Sequence, residues 1–199
     1  TIIYTAVAKT DDANACSGNL ATYSVTVNPV ARLTNTNLAQ SVCSGGRNTA
    51  VVWQSNVANA TFSWTATATS SELTGFTASG NGNIPVQTLI NSSTQVQKVI
   101  YSVKPMAYGC EGPTATYEIE VYPSPIFTSS TVATEICSGK TFTYTPTSST
   151  TGVTFKWTRA AITGISNAAA SGTGIDAAGS ISETLINTTV NPIDVLYEY

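Results

Sequence analysis

Apolar and polar residues alternate over short stretches of this chain, and no stretch carries the 3.6-residue period of a helix. From Ala21 to Val27, Tyr23, Val25 and Val27 alternate with Ser24 and Thr26, the period-two mark of a half-buried strand, which stops at Asn28-Pro29. Thr116 to Val121 repeats the pattern through Tyr117, Ile119 and Val121 and stops at Tyr122-Pro123, 94 residues further on. Ile3-Tyr4, Ile100-Tyr101 and Leu196-Tyr197 form a second series, at offsets of 97 and 96. Thr49 to Gln54 predicts a strand, as do Phe62 to Ala66 and Phe155 to Thr158, whose Trp64 and Trp157 stand 93 apart. Gly-rich stretches follow these last two, and then Thr88-Leu89-Ile90-Asn91 recurs unchanged as Thr184-Leu185-Ile186-Asn187.

The clearest echo is Cys43-Ser44-Gly45, which returns as Cys137-Ser138-Gly139, while Cys16-Ser17-Gly18 corresponds to Cys110-Glu111-Gly112. Short strands parted by Gly, Ser and Asn turns predict an all-β chain of antiparallel Greek-key sandwiches. A period this long exceeds a solenoid or propeller repeat and suits whole immunoglobulin-sized domains. Residues 29–123 make one complete unit, 1–28 the last two strands of the unit before, and 124–199 most of the unit after. Thr1 falls inside a strand-like run, so the reading expects a piece of a longer chain whose targeting signals lie elsewhere. It also expects the flanking pieces to show open sheet edges unless neighbouring sequence or other molecules complete them.

Composition narrows the function. Charged residues are only 10% of the chain, and Thr, Ser, Asn and Gly take their place, a surface suited to strands and turns outside the cell. A net charge of −3 with scattered Lys98, Lys104, Lys156 and Arg159 argues against nucleic acid, which needs a basic face. No apolar run reaches the roughly 18 residues of a membrane span. The chain has no histidine, which removes the commonest general base, the usual nucleophilic triads and the commonest zinc ligand.

Together, Ile136-Cys137-Ser138-Gly139, the Phe-x-Trp strands, the two Thr-Leu-Ile-Asn segments, the Tyr108-Gly109-Cys110-Glu111-Gly112 loop and the strands ending in Pro resemble PKD-like, Ig-like tandem repeats. Such repeats occur in very large surface adhesins of gliding bacteria that use type IX secretion. The resemblance spans the chain and implies a secreted, cell-surface filament or adhesin stalk; it supplies no ligand site. Around the second strand the middle unit has Arg47 and Trp53 where the later one has Lys140 and Tyr144, so the units are not interchangeable.

Cys16, Cys43, Cys110 and Cys137 read as disulfide cysteines, since a low-charge extracellular chain without CxxC pairs points away from metal and redox sites. Three connectivities stand open. Cys43–Cys110 closes one unit, and Cys16–Cys43 with Cys110–Cys137 clamps successive units. The third joins the Cys-Ser-Gly turn of one unit to the Cys-x-Gly loop of the next. Greek-key topology puts that turn and that loop at opposite poles, against Cys43–Cys110 and in favour of a staple between units.

Trp64, Trp157, Tyr101 and Tyr117 are expected in the core by their alternation, whereas exposed rings would instead suit a sugar platform. Gly80-Asn81-Gly82 and Gly172-Thr173-Gly174 read as turns, because no helix or Gly-Lys-Ser/Thr follows. Asp11-Asp12 with Asn14 offers oxygens for calcium, but a solvated hairpin tip looks the same and the matching loop from Pro105 lacks the acids, so no cofactor is expected. Glu118 and Glu120 face outward. Asn59, Asn91 and Asn187 head N-glycosylation patterns of the kind that arise by chance in a Thr/Ser-rich chain.

The expectation is a non-catalytic structural or adhesive segment whose partners are neighbouring repeats, with surface polysaccharide or other cell-surface proteins as further partners. The alternative is a carbohydrate-binding or accessory spacer module of a secreted multidomain protein.

Overall fold

The computed structural model describes residues 1–11, 13, 17–132 and 134–199. Among the described residues the fold is all-β apart from one short 3₁₀ turn, Asp176–Gly179. Strands β1 (Ile2–Lys9) and β2 (Ser17–Val25) form an antiparallel ribbon with Tyr4 opposite Tyr23. Both strands are exposed along their whole length.

The middle unit carries β3 (Ala39–Cys43), β4 (Thr61–Ala68), β5 (Leu73–Thr74), β6 (Ser79–Asn81), β7 (Ile90–Asn91), β8 (Gln97–Ala107), β9 (Cys110–Glu111) and β10 (Ala115–Tyr122). Its main sheet runs β3-β10-β8-β4-β6, with β9 folding back on β8. The pairs are antiparallel with one exception: β3 runs parallel to β10, from Ala39 beside Glu118 to Cys43 beside Tyr122. The sequence reading expects antiparallel sheets throughout. The parallel pair follows from chain direction. The first and last strands of the unit are neighbours, and both run from the pole where the chain enters to the pole where it leaves.

The second layer is less regular. Arg47 bridges Thr88, Val51 bridges Ile84, and β5 pairs β7. The strand expected at Thr49–Gln54 shrinks to these bridges because side chains take its backbone donors. Trp53 N–H donates to Asn83 Oδ1 (3.1 Å) and Gln54 N–H to Asn35 Oδ1 (2.8 Å).

Alternation sorts the side chains between the two layers. On β8, Val99, Tyr101 and Val103 point inward, and on β10 Tyr117, Ile119 and Val121 do the same. From β4 come Trp64 and Ala66, and from the facing layer Val51, Trp53, Leu73, Ile84 and Leu89; together these form one buried cluster. Four of its aromatic rings meet in a chain: Trp64 on Tyr101 at 5.5 Å, Tyr101 on Tyr117 at 6.3 Å, and Tyr117 on Trp53 at 5.6 Å. Glu118 and Glu120 lie on the opposite face of the sheet, gripping Lys98 at 2.9 and 3.1 Å.

The later unit has β11 (Thr141–Tyr144) paired with β14 (Ile181–Thr184), and β12 (Thr154–Arg159) paired with β13 (Ala170–Ile175). Its isolated bridges echo the middle unit, Phe127–Ser148 standing where Leu33–Ser55 does. Trp157 meets Tyr197 edge-on at 5.7 Å, as Trp64 meets Tyr101.

Gly80 and Gly172, read from sequence as turn residues, lie instead in β6 and β13. A Cβ on Gly80 would stand 2.4 Å from the Trp64 ring, and one on Gly172 2.5 Å from Trp157 Nε1. The bare backbone is what lets an edge strand cover each indole.

Candidate docking poles

At the pole where the chain leaves the middle unit, β3 ends at Cys43 and the chain turns through Ser44, Gly45 and Gly46. Gly46 N–H donates to Cys43 O at 2.8 Å, and Gly45 holds φ +79, a conformation open to glycine. Ser44 N–H donates to Tyr122 O (2.8 Å), which ties the turn to the last strand. Gly45 N–H donates to Leu89 O and Leu89 N–H to Gly46 O, which ties it to the Thr-Leu-Ile-Asn segment.

A side-chain clamp completes the turn. Ser44 Oγ donates to Asn91 O (3.1 Å) and accepts from Asn91 N–H (3.0 Å). Asn91 is almost wholly buried; its Nδ2 donates to Gln95 O and Val121 O, both at 2.8 Å, and its Oδ1 accepts from Ser93 N–H. The later unit rebuilds the clamp. Gly139 N–H donates to Leu185 O, Asn187 N–H donates to Ser138 Oγ (3.0 Å), and Asn187 Nδ2 donates to Asn191 O (2.8 Å). The two most faithful sequence echoes, Cys-Ser-Gly and Thr-Leu-Ile-Asn, are therefore two halves of one device. Sequence shows each recurring; only the fold shows that they touch. Burial of Asn91 within the clamp also removes it as a glycan acceptor.

The opposite pole is built by the β8–β9 hairpin. Tyr108 and Gly109 both hold positive φ, 51° and 76°, as a tight two-residue hairpin turn requires. Cys110 follows, paired with Ala107, and two residues later Gly112 lies against the entering chain: a Cβ there would stand 1.9 Å from Ala31 O. Entry and Cys110 thus share one pole, and exit and Cys43 share the other.

The length of β10 separates the two poles. Its seven steps from Ala115 to Tyr122 span roughly 23 Å, whereas bridged cysteine Cα atoms lie within about 7 Å. Cys43, Cys110 and Cys137 are free thiols, Cys43 and Cys137 exposed and Cys110 half-buried, so neither Cys43–Cys110 nor Cys110–Cys137 is bonded. Cys16 lies outside the described residues, as do Asp12 and Asn14 of the calcium reading. Among the described residues no three Cys, Asp or Glu side chains converge on a point.

Beside the entry pole the middle unit has an open cleft of about 420 Å³ lined by Ser55, Ala60 and Phe62 among others. The later unit has one of about 210 Å³ at the matching Ser148, Val153 and Phe155. Trp53, Trp64 and Trp157 are all nearly buried, so none offers a ring face to a sugar. Tyr101 and Tyr117 are buried as well, and burial raises both phenols above the usual tyrosine range.

The later unit holds the most charged interior spot described. Arg159, with no exposed side-chain surface, donates from Nε to Glu183 Oε2 at 2.8 Å and from Nη2 to Oε1 at 3.1 Å. The same Oε2 accepts from the Tyr197 hydroxyl at 2.6 Å. Hydrogen bonding from Arg159 holds the Glu183 carboxyl below the usual carboxylate range, while burial first and Glu183 second push the Tyr197 phenol far up. Sequence reasoning missed this triad, and Glu183 standing where the middle unit has Gln87 was the signal available.

The family model for the PKD-like domain matches residues 40–125 and again 134–199, together most of the chain. The chain belongs to the PKD-like domain family. The PKD-like repeats so delimited each contain one complete Cys-Ser-Gly and Thr-Leu-Ile-Asn clamp. PKD-like domains are typically found in extracellular proteins, serve as structural or adhesive modules, and are generally non-catalytic. No curated protein matches the sequence. Among the described residues no helix is long and apolar enough to cross a membrane.

Proposed function

We propose that this chain is a section of a bacterial cell-surface stalk in which PKD-like repeats follow one another head to tail. The observation that carries the reading is the polarity of the middle repeat. Its first and last strands run parallel, so the chain enters at the Cys110 pole and leaves at the Cys43 pole. A unit with entry and exit at opposite ends lengthens the molecule each time it is repeated. Pro123 and Pro125, either side of Ser124, stiffen the junction by fixing φ. The parent protein belongs, on this reading, with the large adhesins that gliding bacteria export by type IX secretion.

Single-molecule stretching of a chain with several repeats is the direct test. Each repeat should give one unfolding event and release roughly 300 Å of contour length, at about 3.3–3.6 Å per residue. Antibody against residues 29–123 should label intact cells of the source organism. Absence of surface label, or a tight and saturable complex between residues 29–123 and a soluble glycan, would move the assignment to a binding module.

A further inference from the structure

The cysteines that one repeat holds apart lie, in successive repeats, on the two sides of one short junction. Cys43 is the lateral neighbour of Tyr122, and adjacent strands lie about 4.8 Å apart. Phe127 bridges Ser148 as Leu33 bridges Ser55, so Pro125 of the later repeat occupies the place of Ala31. From Tyr122 to Pro125 the chain advances three residues, no more than about 11 Å. Position 31 in turn packs against Gly112, two residues past Cys110, which is at most about 7 Å of chain. The exit cysteine of one repeat and the hairpin cysteine of the next are therefore tethered to the same short stretch of backbone.

Both partners are accessible. Cys43 is exposed at a turn whose backbone is fixed by Ser44 and Asn91, and Cys110 is half-buried just past the Tyr108-Gly109 tip. Neither has a bonding partner inside its own repeat, and the strand between them forbids one.

We propose that successive repeats are stapled covalently across the junction, the Cys-Ser-Gly cysteine of each repeat bonding to the Cys-x-Gly cysteine of the repeat that follows. The proposal rests on the head-to-tail reading above. On this scheme Cys43 bonds to the hairpin cysteine of the repeat that starts at 124, and Cys110 to the turn cysteine of the repeat that ends at 28. Both of those partners fall outside the 199 residues. The chemistry is thiol–disulfide exchange with a small-molecule disulfide such as glutathione disulfide as oxidant. One cysteine thiolate attacks it, forming a mixed disulfide and releasing one glutathione thiolate. The second cysteine thiolate then attacks the protein sulfur and releases the other. One S–S bond forms and one breaks; the two cysteines lose two electrons and two protons, and the oxidant becomes two thiols.

The middle repeat keeps its whole buried cluster within its own residues, so a tandem of two copies of residues 29–122, one full period each, tests the staple. After equilibration with glutathione disulfide and glutathione, alkylation and intact mass should show two of the four thiols protected. A non-reducing peptide map should join Cys43 to Cys110, while a single copy treated identically should keep both thiols free. Cys43→Ser in the first copy should abolish the bridge, and Cys43→Ser in the second should leave it intact. Four alkylated thiols in the tandem, or a bridge that survives the first substitution and not the second, would overturn the proposal. Small-angle scattering separates this outcome from the stalk reading. An elongated tandem with four free thiols sinks the staple alone, whereas two copies folded side by side sink the stalk.

Discussion

The middle repeat buries Tyr101, the later repeat half-buries Tyr197 at the same place, and the two hydroxyls are satisfied with different chemistry. Around Tyr101 the groups are neutral. Gln87 Nε2 donates to the hydroxyl at 3.1 Å, Gln87 N–H donates to Asn48 Oδ1 at 2.6 Å, and Ala66 fills the flank. Around Tyr197 the matching positions are Glu183, Phe142 and Arg159. The hydroxyl now donates to Glu183, Arg159 neutralises the carboxylate and donates from Nη1 to Ala160 O, and Phe142 stacks on the tyrosine ring at 5.3 Å. Three replacements thus belong together. A carboxylate at the glutamine position is favoured by a guanidinium beside it, and here Arg159 supplies it. Repeats of one family can share register to the residue and still be unable to exchange single core residues.

Separating the members of the triad should give the largest effect. Arg159→Ala leaves Glu183 as a half-buried carboxylate without its cation, and the later repeat should lose about 1.5–3 kcal/mol. Adding Glu183→Gln, which rebuilds the middle repeat's combination, should recover most of that loss. Amide exchange of β12 and β14 reads the later repeat alone, and a double variant no more stable than Arg159→Ala would show that the positions are not coupled. Next in size is the glycine under each tryptophan. Gly80→Ala drives a methyl into the Trp64 ring and should cost about 1–3 kcal/mol, and Gly172→Ala should do the same beneath Trp157. Urea midpoints that do not move would mean the indoles reorient freely.

The exit-pole clamp sharpens the comparison. Asn91 is buried and its Nδ2 holds Val121 O, the carbonyl of the last strand, while Asn187 is part-exposed and bonds within its own turn through Asn191. Asn91→Ala removes a buried amide that bonds both Gln95 O and Val121 O and should cost about 1–3 kcal/mol, against about 0.5–1.5 for Asn187→Ala. Equal losses, measured as separate transitions in denaturant, would mean that closure by β10 adds nothing to the clamp.

The ribbon of β1 and β2 shows what pairing alone achieves. Its register is that of β8 and β10, Tyr4 opposite Tyr23 as Tyr101 is opposite Tyr117. Yet Tyr23 is 71% exposed and Tyr117 only 4%. Period-two alternation and recurrence were enough to read most of the long strands and the repeat length, because these depend on local pattern and on repetition. The Trp-over-Gly contact, the Ser44–Asn91 clamp and the Arg159–Glu183–Tyr197 triad were not legible. Each joins residues 14 to 49 positions apart, and their chemistry is set by which side chains the fold brings together. The parallel β3–β10 pair was missed for a related reason, since strand direction depends on where the chain enters and leaves.

The smallest expected effect lies in pH, and it separates the two repeats on the acid side. Glu183 has a folded value depressed by Arg159, so its contribution is present above the ordinary glutamate range of about 4.3 and is lost as the pH falls through the depressed value. Tyr197 has a raised value, so its contribution is complete below the ordinary tyrosine range of about 10 and is lost as the pH climbs beyond it. Gln87 does not titrate, so the middle repeat lacks the acid limb. Lowering the pH from 6 to 3 should therefore weaken the later repeat relative to the middle one, read as the urea midpoint of β12 against that of β4 by residue-resolved NMR. In Glu183→Gln the two midpoints should move together over that range. A gap that persists in this variant would trace the acid sensitivity to other groups of the later repeat and would detach it from the Arg159–Glu183–Tyr197 triad.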